Sequence, residues 1–356
     1  MRVDRARAGR YFRAGTRWTR LLTSRRRDAN LRVFFGHDRI PGPGEPVAGG
    51  TAKFQRLSER FPNHPTDFNL LYLGTTWLPR DFRPLLWLAR RRRLPVVVNQ
   101  NGVGWPGWAG ARTEEVNRPL RYVLEAADHV LYQSEFCKRS SDKYLGPPRG
   151  DWEILPNAVD VERFTPAAKP PPGGPILLLT GDQLFSYRLE LALRTLAVLL
   201  TEYPGARLLV TGRLVSSADP FLDELDLRGR VDLLGRYAQA DAPALYRRAH
   251  LLLHPQVNDA CPSAVIEAMA CGLPVVHSAS GGTVELVAEI GGIGVPHGGG
   301  WDHIDPPSPQ AMAAAAARVL ADLPRYREAA RERAVAHYSL VDWLDRHEKL
   351  FSQLVG

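Results

Sequence analysis

Residues 251–287, LLLHPQVNDACPSAVIEAMACGLPVVHSASGGTVELV, restrict the fold more than any other stretch of the chain. An apolar strand over Leu251–Leu253 runs into a polar loop from His254 to Pro262. Ser263 stands where a helix N-cap is expected, because its hydroxyl can satisfy an orphan amide of the first turn. The pattern predicts a helix through AVIEAMAC that ends at Gly272, since glycine enters the left-handed conformation without a Cβ clash. Pro274 precedes VVHS, a β-branched apolar run suited to a parallel strand covered on both faces. Ser280-Gly281-Gly282-Thr283 then leads into a further helix, VELVAEI, closed by Gly291 and Gly292. This alternation implies a parallel α/β sheet with two helix N-termini, near Ser263 and Thr283, beside the carboxyl ends of neighbouring strands.

That edge of an open α/β sheet is where ligands bind. Each helix N-terminus carries unpaired amides and about half a positive charge, which favours an anion such as a diphosphate. Gly281 and Gly282 leave the backbone open to close approach. Asp259 in the loop and Glu267 on the helix are acceptors, the chemistry needed to hold sugar or ribose hydroxyls. An ordinary βαβ unit with a tight glycine turn would also produce this pattern.

Elsewhere the same alternation recurs. LRVFFG (31–36), FNLLYLG, LPVVVNQNGVGW (94–105) and HVLY predict strands of a first sheet, with helices over Thr51–Phe61 and through WLAR. The basic run Arg90–Arg93 suits a helix C-terminus. Gly49-Gly50-Thr51 follows the first strand and loop, where a turn facing a cleft is expected. Asn99, Gln100 and Asn101 fall at the carboxyl end of the third strand. Trp105 and Trp108, just beyond, suit either stacking on an acceptor sugar ring or packing the loop down. PAAKPPPGGP (166–175) is proline-dense and marks a domain boundary. A second set of strands begins with ILLLTG (176–181) and RLLVTG (207–212), separated by a helix over Leu189–Tyr203. PQAMAAAAARVLADL reads as a helix from its alanine content, and VPHGGGWDHIDP as a loop.

Charge divides the chain. Ten arginines against two aspartates in residues 1–30 account for the whole net charge of +8, so the body is balanced. With Tyr11, Phe12, Trp18, Leu21 and Leu22 interleaved, this basic leader suits peripheral contact with an anionic membrane; a solvated extension is the other reading. A balanced body lacks the excess charge that grips nucleic acid. No apolar run approaches the roughly 20 residues of a membrane span, and the N-terminus has no apolar signal core. The three cysteines, Cys137, Cys261 and Cys271, have no metal spacing and read as reduced, so a cytoplasmic protein without a metal site is expected.

The stretch from Asp259 to Val287 resembles the donor-site signature of retaining glycosyltransferases of family 4, which have the GT-B fold. That signature has an acidic residue, seven others, a Glu opening an EAMACGxPVV run, and SxxGGxxELV. Here it reads Asp259, seven residues, Glu267, AMACGLPVV and SASGGTVELV, with the first Glu shortened to Asp. HVLYQSEFCKR resembles the family's SEFxxR strand–helix segment. ILPNAVDVERFTP (154–166) resembles IPNGVDxxRFxP, and VDLLGRYAQADAPALYRRAH (231–250) resembles FLGxVxxxxLxxxYxxA. The last segment, YSLVDWLDRHEKLFSQLV, resembles the helix that crosses back onto the N-terminal domain. The match is close over residues 120–350 and architectural only over 31–119.

The resemblance implies an α/β, GT-B fold of two Rossmann-like domains facing a cleft. The expected divisions are a leader (1–30), an acceptor-side domain (31–166), a linker (167–175), a nucleotide-sugar domain (176–336) and the crossing helix (337–356). It implies transfer of a sugar from a nucleotide diphosphate donor to a saccharide, lipid-linked saccharide or small-molecule acceptor, with no cofactor or metal. Glu267 would hold the donor ribose and Asp259 a sugar hydroxyl, helped by amides over Cys261, Pro262 and Ser263. Gly235, Arg236 and Tyr237 would face the base, and Gly281, Gly282 and Thr283 the diphosphate; Gly181 and a cleft-facing turn at Gly49 and Gly50 would complete the donor site, although a plain loop fits Gly49 and Gly50 equally well. Relatives often carry a His near Asn101, which leaves Asn101 a hydrogen-bonding rather than a proton-transferring role. The family also places Arg directly after Gly181 and Lys a few residues on. Here these positions are Asp182 and Tyr187, leaving Arg188 as the substitute cation.

Overall fold

The computed structural model describes residues 30–42, 45 and 49–356. The basic leader, with its expected membrane contact, lies outside the described residues. The first lobe contains β1 (Val33–Phe34), α1 (Gly49–Arg60), β2 (Leu70–Gly74), α2 (Phe82–Arg92) and β3 (Val96–Gln100). It continues with α3 (Pro106–Ala109), α4 (Thr113–Glu125), β4 (His129–Tyr132), α5 (Glu135–Tyr144) and β5 (Asp151–Ile154). These five strands pair in parallel in the order β1-β2-β3-β4-β5.

The second lobe begins with β6 (Ile176–Leu179), α6 (Ser186–Leu199), β7 (Arg207–Thr211), α7 (Asp219–Glu224), β8 (Val231–Gly235) and α8 (Ala242–Tyr246). It goes on through β9 (Leu251–His254), α9 (Ser263–Ala270), β10 (Val275–Ser278), α10 (Thr283–Val287) and β11 (Gly292–Val295). The chain ends in α11 (Pro309–Ala321), α12 (Leu323–His337) and α13 (Leu340–Val355). This second sheet is also parallel, in the order β11-β10-β9-β6-β7-β8. The direction of winding reverses between β6 and β9, and a reversal of this kind opens a crevice at the carboxyl ends of the two strands.

The inner strands of both sheets are buried on both faces, which explains why they read as unbroken apolar runs such as Leu70–Leu73 and Leu251–Leu253, while the edge strands β5 and β8 are partly exposed. The last helix, α13, does not pack on the sheet that precedes it. Its Trp343, Leu350 and Phe351 join Phe35, Phe54, Leu57, Tyr72 and Val97 in the core of the first lobe. Burying side chains of this size stabilises the arrangement by about 1.5–3 kcal/mol each. Ion pairs from Arg60 to Asp345 (3.1 Å) and from Arg346 to Glu153 (2.6 Å) hold its polar edge.

Several local expectations change. Ser263 is not the N-cap of α9: Pro262 takes that place with extended backbone angles, and Ser263 is the first helical residue with no capping bond from its side chain. Proline's fixed φ and missing N–H suit it to the residue at which a helix starts. The helix after Thr283 stops at Val287, where Ala288 turns to φ 52°, well before Gly291. Gly292 instead opens β11, where a Cβ would meet the Val275 carbonyl oxygen at 1.9 Å. The strand expected over 31–36 is reduced to Val33–Phe34, and α12 has no counterpart in the sequence reading.

Candidate active site

A cavity of about 960 Å³ lies between the lobes. Its polar wall comes from residues that leave the carboxyl ends of strands: Thr75 after β2, Asn101 after β3, Gln133 after β4, Gly181 after β6 and Asp259 after β9. Parallel strands point these ends the same way, so one edge of each sheet gathers the polar loops. The far wall is apolar and aromatic, with Phe82, Trp105, Trp108, Phe136 and Trp301. Trp301 comes from the loop after β11 and stacks on Phe136 of the first lobe, with ring centroids 5.1 Å apart. Its carbonyl accepts a 2.8 Å hydrogen bond from the Gly107 amide.

Asp259 is the one carboxylate among the described residues lining the cavity. Its side chain keeps 29% exposure, and desolvation by the surrounding protein raises its pKa. The nearby Arg188 charge and the amides of Cys261 and Ala260 oppose that rise. His254, also in the cavity wall, is buried 3.7 Å from the Asp259 carboxylate. Desolvation, with the charges of Arg188 and His277, holds its pKa well below the usual imidazole range, so His254 is neutral at neutral pH.

Arg188 is 6% exposed and lines the cavity. Its guanidinium donates to the carbonyls of Asp182 (3.1 Å) and Thr180 (3.2 Å), and its Nε finds no acceptor. Burial lowers its pKa, yet a guanidinium keeps its charge in any such site. Asp182 turns the other way. Its carboxylate pairs with Arg236 at 2.5 Å and accepts the Arg213 amide at 2.8 Å, and those bonds hold its pKa low. Arg236 is therefore engaged by an acidic residue standing where the resemblance expects a cation. Tyr187 also lines the cavity; its hydroxyl accepts the Val257 amide at 3.0 Å, which pins the loop after β9, and it carries no positive charge.

Glu267 lies outside the cavity lining. It is 6% exposed, and its two oxygens accept from Gln239 (3.0 Å) and Tyr246 (3.1 Å), with Arg56 of the first lobe at 3.4 Å. Tyr237 meets Thr180 at 3.0 Å and thus borders the cavity from behind, while Gly235 and Arg236 stand outside the lining. Gly181 and Gly50 line it, as do Cys261, Pro262 and Ser263. Gly49 is the first residue of α1.

Gly281, Gly282 and Thr283 do not form the open phosphate cradle expected of them. A Cβ on Gly282 would stand 2.0 Å from the Ala260 carbonyl oxygen, and one on Gly281 2.3 Å from that of Asp259. The Gly282 amide is already given to the Asp259 carbonyl at 2.7 Å, and Thr283 is fully buried. These glycines let one loop press against another. Their smallness lets the loop that carries Asp259 pack closely against them.

Lys53 was not singled out by the sequence. It lies on α1, 5% exposed, and reaches the cavity beside Asn101 and Gln133. Its ammonium donates to Asn99 Oδ1 at 2.7 Å. With the Asn101 amide oriented to satisfy its neighbours, Asn101 Oδ1 accepts from Lys53 at 2.6 Å and from Gln133 at 2.8 Å. Desolvation pushes the Lys53 pKa down to about 7, partly opposed by the thiols of Cys261 and Cys137. A signal did exist: Lys53 precedes the fully buried Leu57 by one helical turn, so it occupies the inward face of α1. His254 has the same kind of signal, since it ends the apolar strand β9.

Contacts across the cleft hold the lobes together. Glu285 accepts the amides of Glu135 and Phe136, each at 2.7 Å, at the N-terminus of α5. Ser134 donates to the Ala260 carbonyl at 2.7 Å, and the Asn157 amide to that of Cys261 at 2.8 Å. Among the described residues no group of three or more His, Cys, Asp or Glu is arranged to hold a metal ion. No described helix is long and apolar enough to cross a membrane.

Two parallel-sheet lobes facing a polar cleft, with a C-terminal helix returning to the first lobe, define a protein of the GT-B class. The sequence matches the family model described as glycosyl transferases group 1 over residues 161–336, and the glycosyltransferase family 4 model over residues 16–163. The chain belongs to the group 1 glycosyltransferases.

Among solved structures, HepE of Anabaena superposes with a TM-score of 0.69 at 15% identity, over 91% of this chain and 100% of that one. Curated relatives include the phosphatidylinositol N-acetylglucosaminyltransferase gpi3 subunit of Schizosaccharomyces pombe, 24% identical over 51% of this chain and 40% of that protein. The D-inositol 3-phosphate glycosyltransferase of Mycolicibacterium smegmatis is 27% identical over 57% of this chain and 51% of its own length. The match thus spans about half or less of each curated relative.

Proposed function

We propose that this chain is a retaining glycosyltransferase that moves a sugar from a nucleotide diphosphate donor to a saccharide, lipid-linked saccharide or small-molecule acceptor. The observation that carries this reading is the inter-lobe cavity at the strand-end edge of both sheets, whose lining holds one carboxylate, Asp259, together with the buried basic side chains Arg188 and Lys53. Asp259 accepts a hydroxyl of the transferred sugar, and Asn101 contributes a hydrogen bond from the first lobe. Glu267 holds the ribose after exchanging Gln239 or Arg56 for it. The bond between the anomeric carbon and the diphosphate breaks as the acceptor oxygen bonds to the same face of the sugar. The acceptor proton passes to the departing phosphate oxygen, which suits a site whose nearest imidazole, His254, is held neutral by burial. Pre-organised positive charge against the leaving group is the largest expected contribution to rate. The charge needed is available from side chains, so a metal ion is not required by this scheme.

UDP-sugars are the first donors to test, because HepE has been solved in complex with UDP-glucose. Inositol and its phosphate belong in the acceptor panel because inositol 3-phosphate appears in the name of the M. smegmatis relative. The experiment is a thermal-shift screen against UDP, GDP and ADP and their sugars on wild type and Glu267→Ala, followed by transfer assays. A ligand at 100 times its Kd should stabilise the protein by about 2.7 kcal/mol. The reading requires that one nucleotide series stabilise the wild type and that Glu267→Ala lose the shift. Failure of every nucleotide at millimolar concentration would sink it.

The Asp182–Arg236 pair favours a second reading, a GT-B protein that binds nucleotide sugar or a partner without turnover, since it replaces a cation with an anion beside the crevice. Donor binding without transfer to any acceptor, and without donor hydrolysis, would select it.

A further inference from the structure

Lys53 is a buried ammonium with no carboxylate within ion-pairing distance among the described residues. Its partners are the amide oxygens of Asn99 and Asn101, at 2.7 and 2.6 Å. An ammonium has three donors, and those two bonds use two of them. Burying a charge against amides alone is costly, and native proteins normally pair or neutralise it. The residue nonetheless stands in the wall of the inter-lobe cavity. A narrow gap beside it is bounded by Ser263 and Asn157, so Lys53 sits across the cleft from the first residue of α9. The first residue of that eight-residue helix and the Lys53 side chain therefore border one space from opposite lobes.

The second lobe is short of positive charge at the same place. Asp182 is paired with Arg236, Tyr187 carries none, and Arg188 has two of its nitrogens bound to backbone carbonyls. The remaining lining cation, Arg80, is exposed at the rim.

We propose that Lys53, reaching from the first lobe, binds the donor diphosphate and neutralises it as it leaves, the task for which Asp182 and Tyr187 provide no cation. This rests on the donor-binding reading above. Lys53 transfers no proton: an anion beside it raises its pKa and keeps it charged while negative charge grows on the departing phosphate oxygen. A consequence is that the diphosphate is gripped from both lobes, so its binding depends on the closed cleft.

Isothermal titration calorimetry on wild type, Lys53→Met and Lys53→Arg tests this, with UDP, GDP, ADP, the three nucleosides and inorganic pyrophosphate as probes. The expected result is that one nucleoside diphosphate binds the wild type and that Lys53→Met weakens it about tenfold or more, as loss of one charge-assisted bond should. The matching nucleoside should bind both proteins alike, and Lys53→Arg should retain part of the affinity. Equal diphosphate affinity in wild type and Lys53→Met overturns the proposal and leaves the donor reading standing. If only pyrophosphate binds, and depends on Lys53, the anion belongs to another substrate group and the donor assignment is overturned. If nothing binds the wild type, the donor reading fails and the proposal falls with it.

Discussion

Replacing Lys53 by methionine should make the unliganded protein more stable at neutral pH. A lysine whose pKa falls from 10.5 to about 7 on folding carries a charge-burial penalty of roughly 5 kcal/mol once fully protonated, at about 1.36 kcal/mol per pKa step. Near pH 7 the native side chain is about half neutral, so the penalty is about 4 kcal/mol. Methionine removes it but also removes the bonds to Asn99 and Asn101, worth about 1 kcal/mol each, leaving a net gain of about 2 kcal/mol.

The pH dependence follows from proton counting. Between pH 7 and 10.5 the unfolded chain holds a proton on Lys53 that the native chain has released, so wild-type stability rises with pH across that window and is lost as pH falls toward 7. Methionine has no such slope, so the advantage of the variant shrinks toward alkaline pH and reverses once the lost bonds dominate. The groups facing Lys53 are Arg56 on its own helix, Cys137 on α5, Cys261 in the loop after β9 and His347 on α13. His347 has a pKa pushed to about 4, and both thiols are pushed up to about 12, so none of these changes charge between pH 7 and 10. Urea denaturation of wild type and Lys53→Met at pH 7 and pH 9.5 measures the difference. A variant less stable than wild type at pH 7, or a difference that does not change with pH, would refute the reasoning. A residue that lowers stability at a cleft is the pattern expected of one retained for binding.

Three further outcomes are expected. Asp182→Arg puts a cation beside the crevice and frees Arg236, so calorimetry should show tighter binding of whichever nucleoside diphosphate the wild type accepts; weaker binding would mean that the Asp182–Arg236 pair itself shapes the site. Glu285→Ala removes the acceptor of two α5 amides and should cost about 2 kcal/mol in urea denaturation. Hydrogen exchange should quicken at Glu135 and Phe136, and unchanged protection there would show that the contact is not formed in solution. Gly282→Ala cannot fit its Cβ 2.0 Å from the Ala260 oxygen without moving the loop that carries Asp259, so thermal unfolding should show a loss of at least about 2 kcal/mol. A stable Gly282→Ala variant with normal ligand binding would contradict the close loop packing.

Much of the architecture was legible in the amino-acid order. Unbroken apolar runs such as Leu70–Leu73 and Leu251–Leu253 mark strands buried on both faces, and turn residues such as Gly272 mark where helices yield to them. These are local properties: strand propensity, helix capping and the conformational freedom of glycine act over a few residues and leave their trace in a short window. The Asp259 loop was legible for the same reason, because a polar segment between an apolar strand and a helix in a parallel sheet has to emerge at the binding edge.

What the order of residues did not reveal was which side chains the fold brings together. Asp182 pairs with Arg236, and Lys53 meets Asn99 and Asn101, through the approach of separate strands and helices. The glycine pair at Gly281 and Gly282 reads locally as a phosphate cradle, and only the fold shows that the Asp259–Ala260 loop packs against the side where their Cβ atoms would stand. Trp343 and Phe351 read as one face of an amphipathic helix, and only the return of α13 to the first lobe decides which core they complete. Local sequence sets each element's form and which of its faces is apolar. Long-range packing decides what each face meets, and with it the burial, pairing and charge of every group at the cleft.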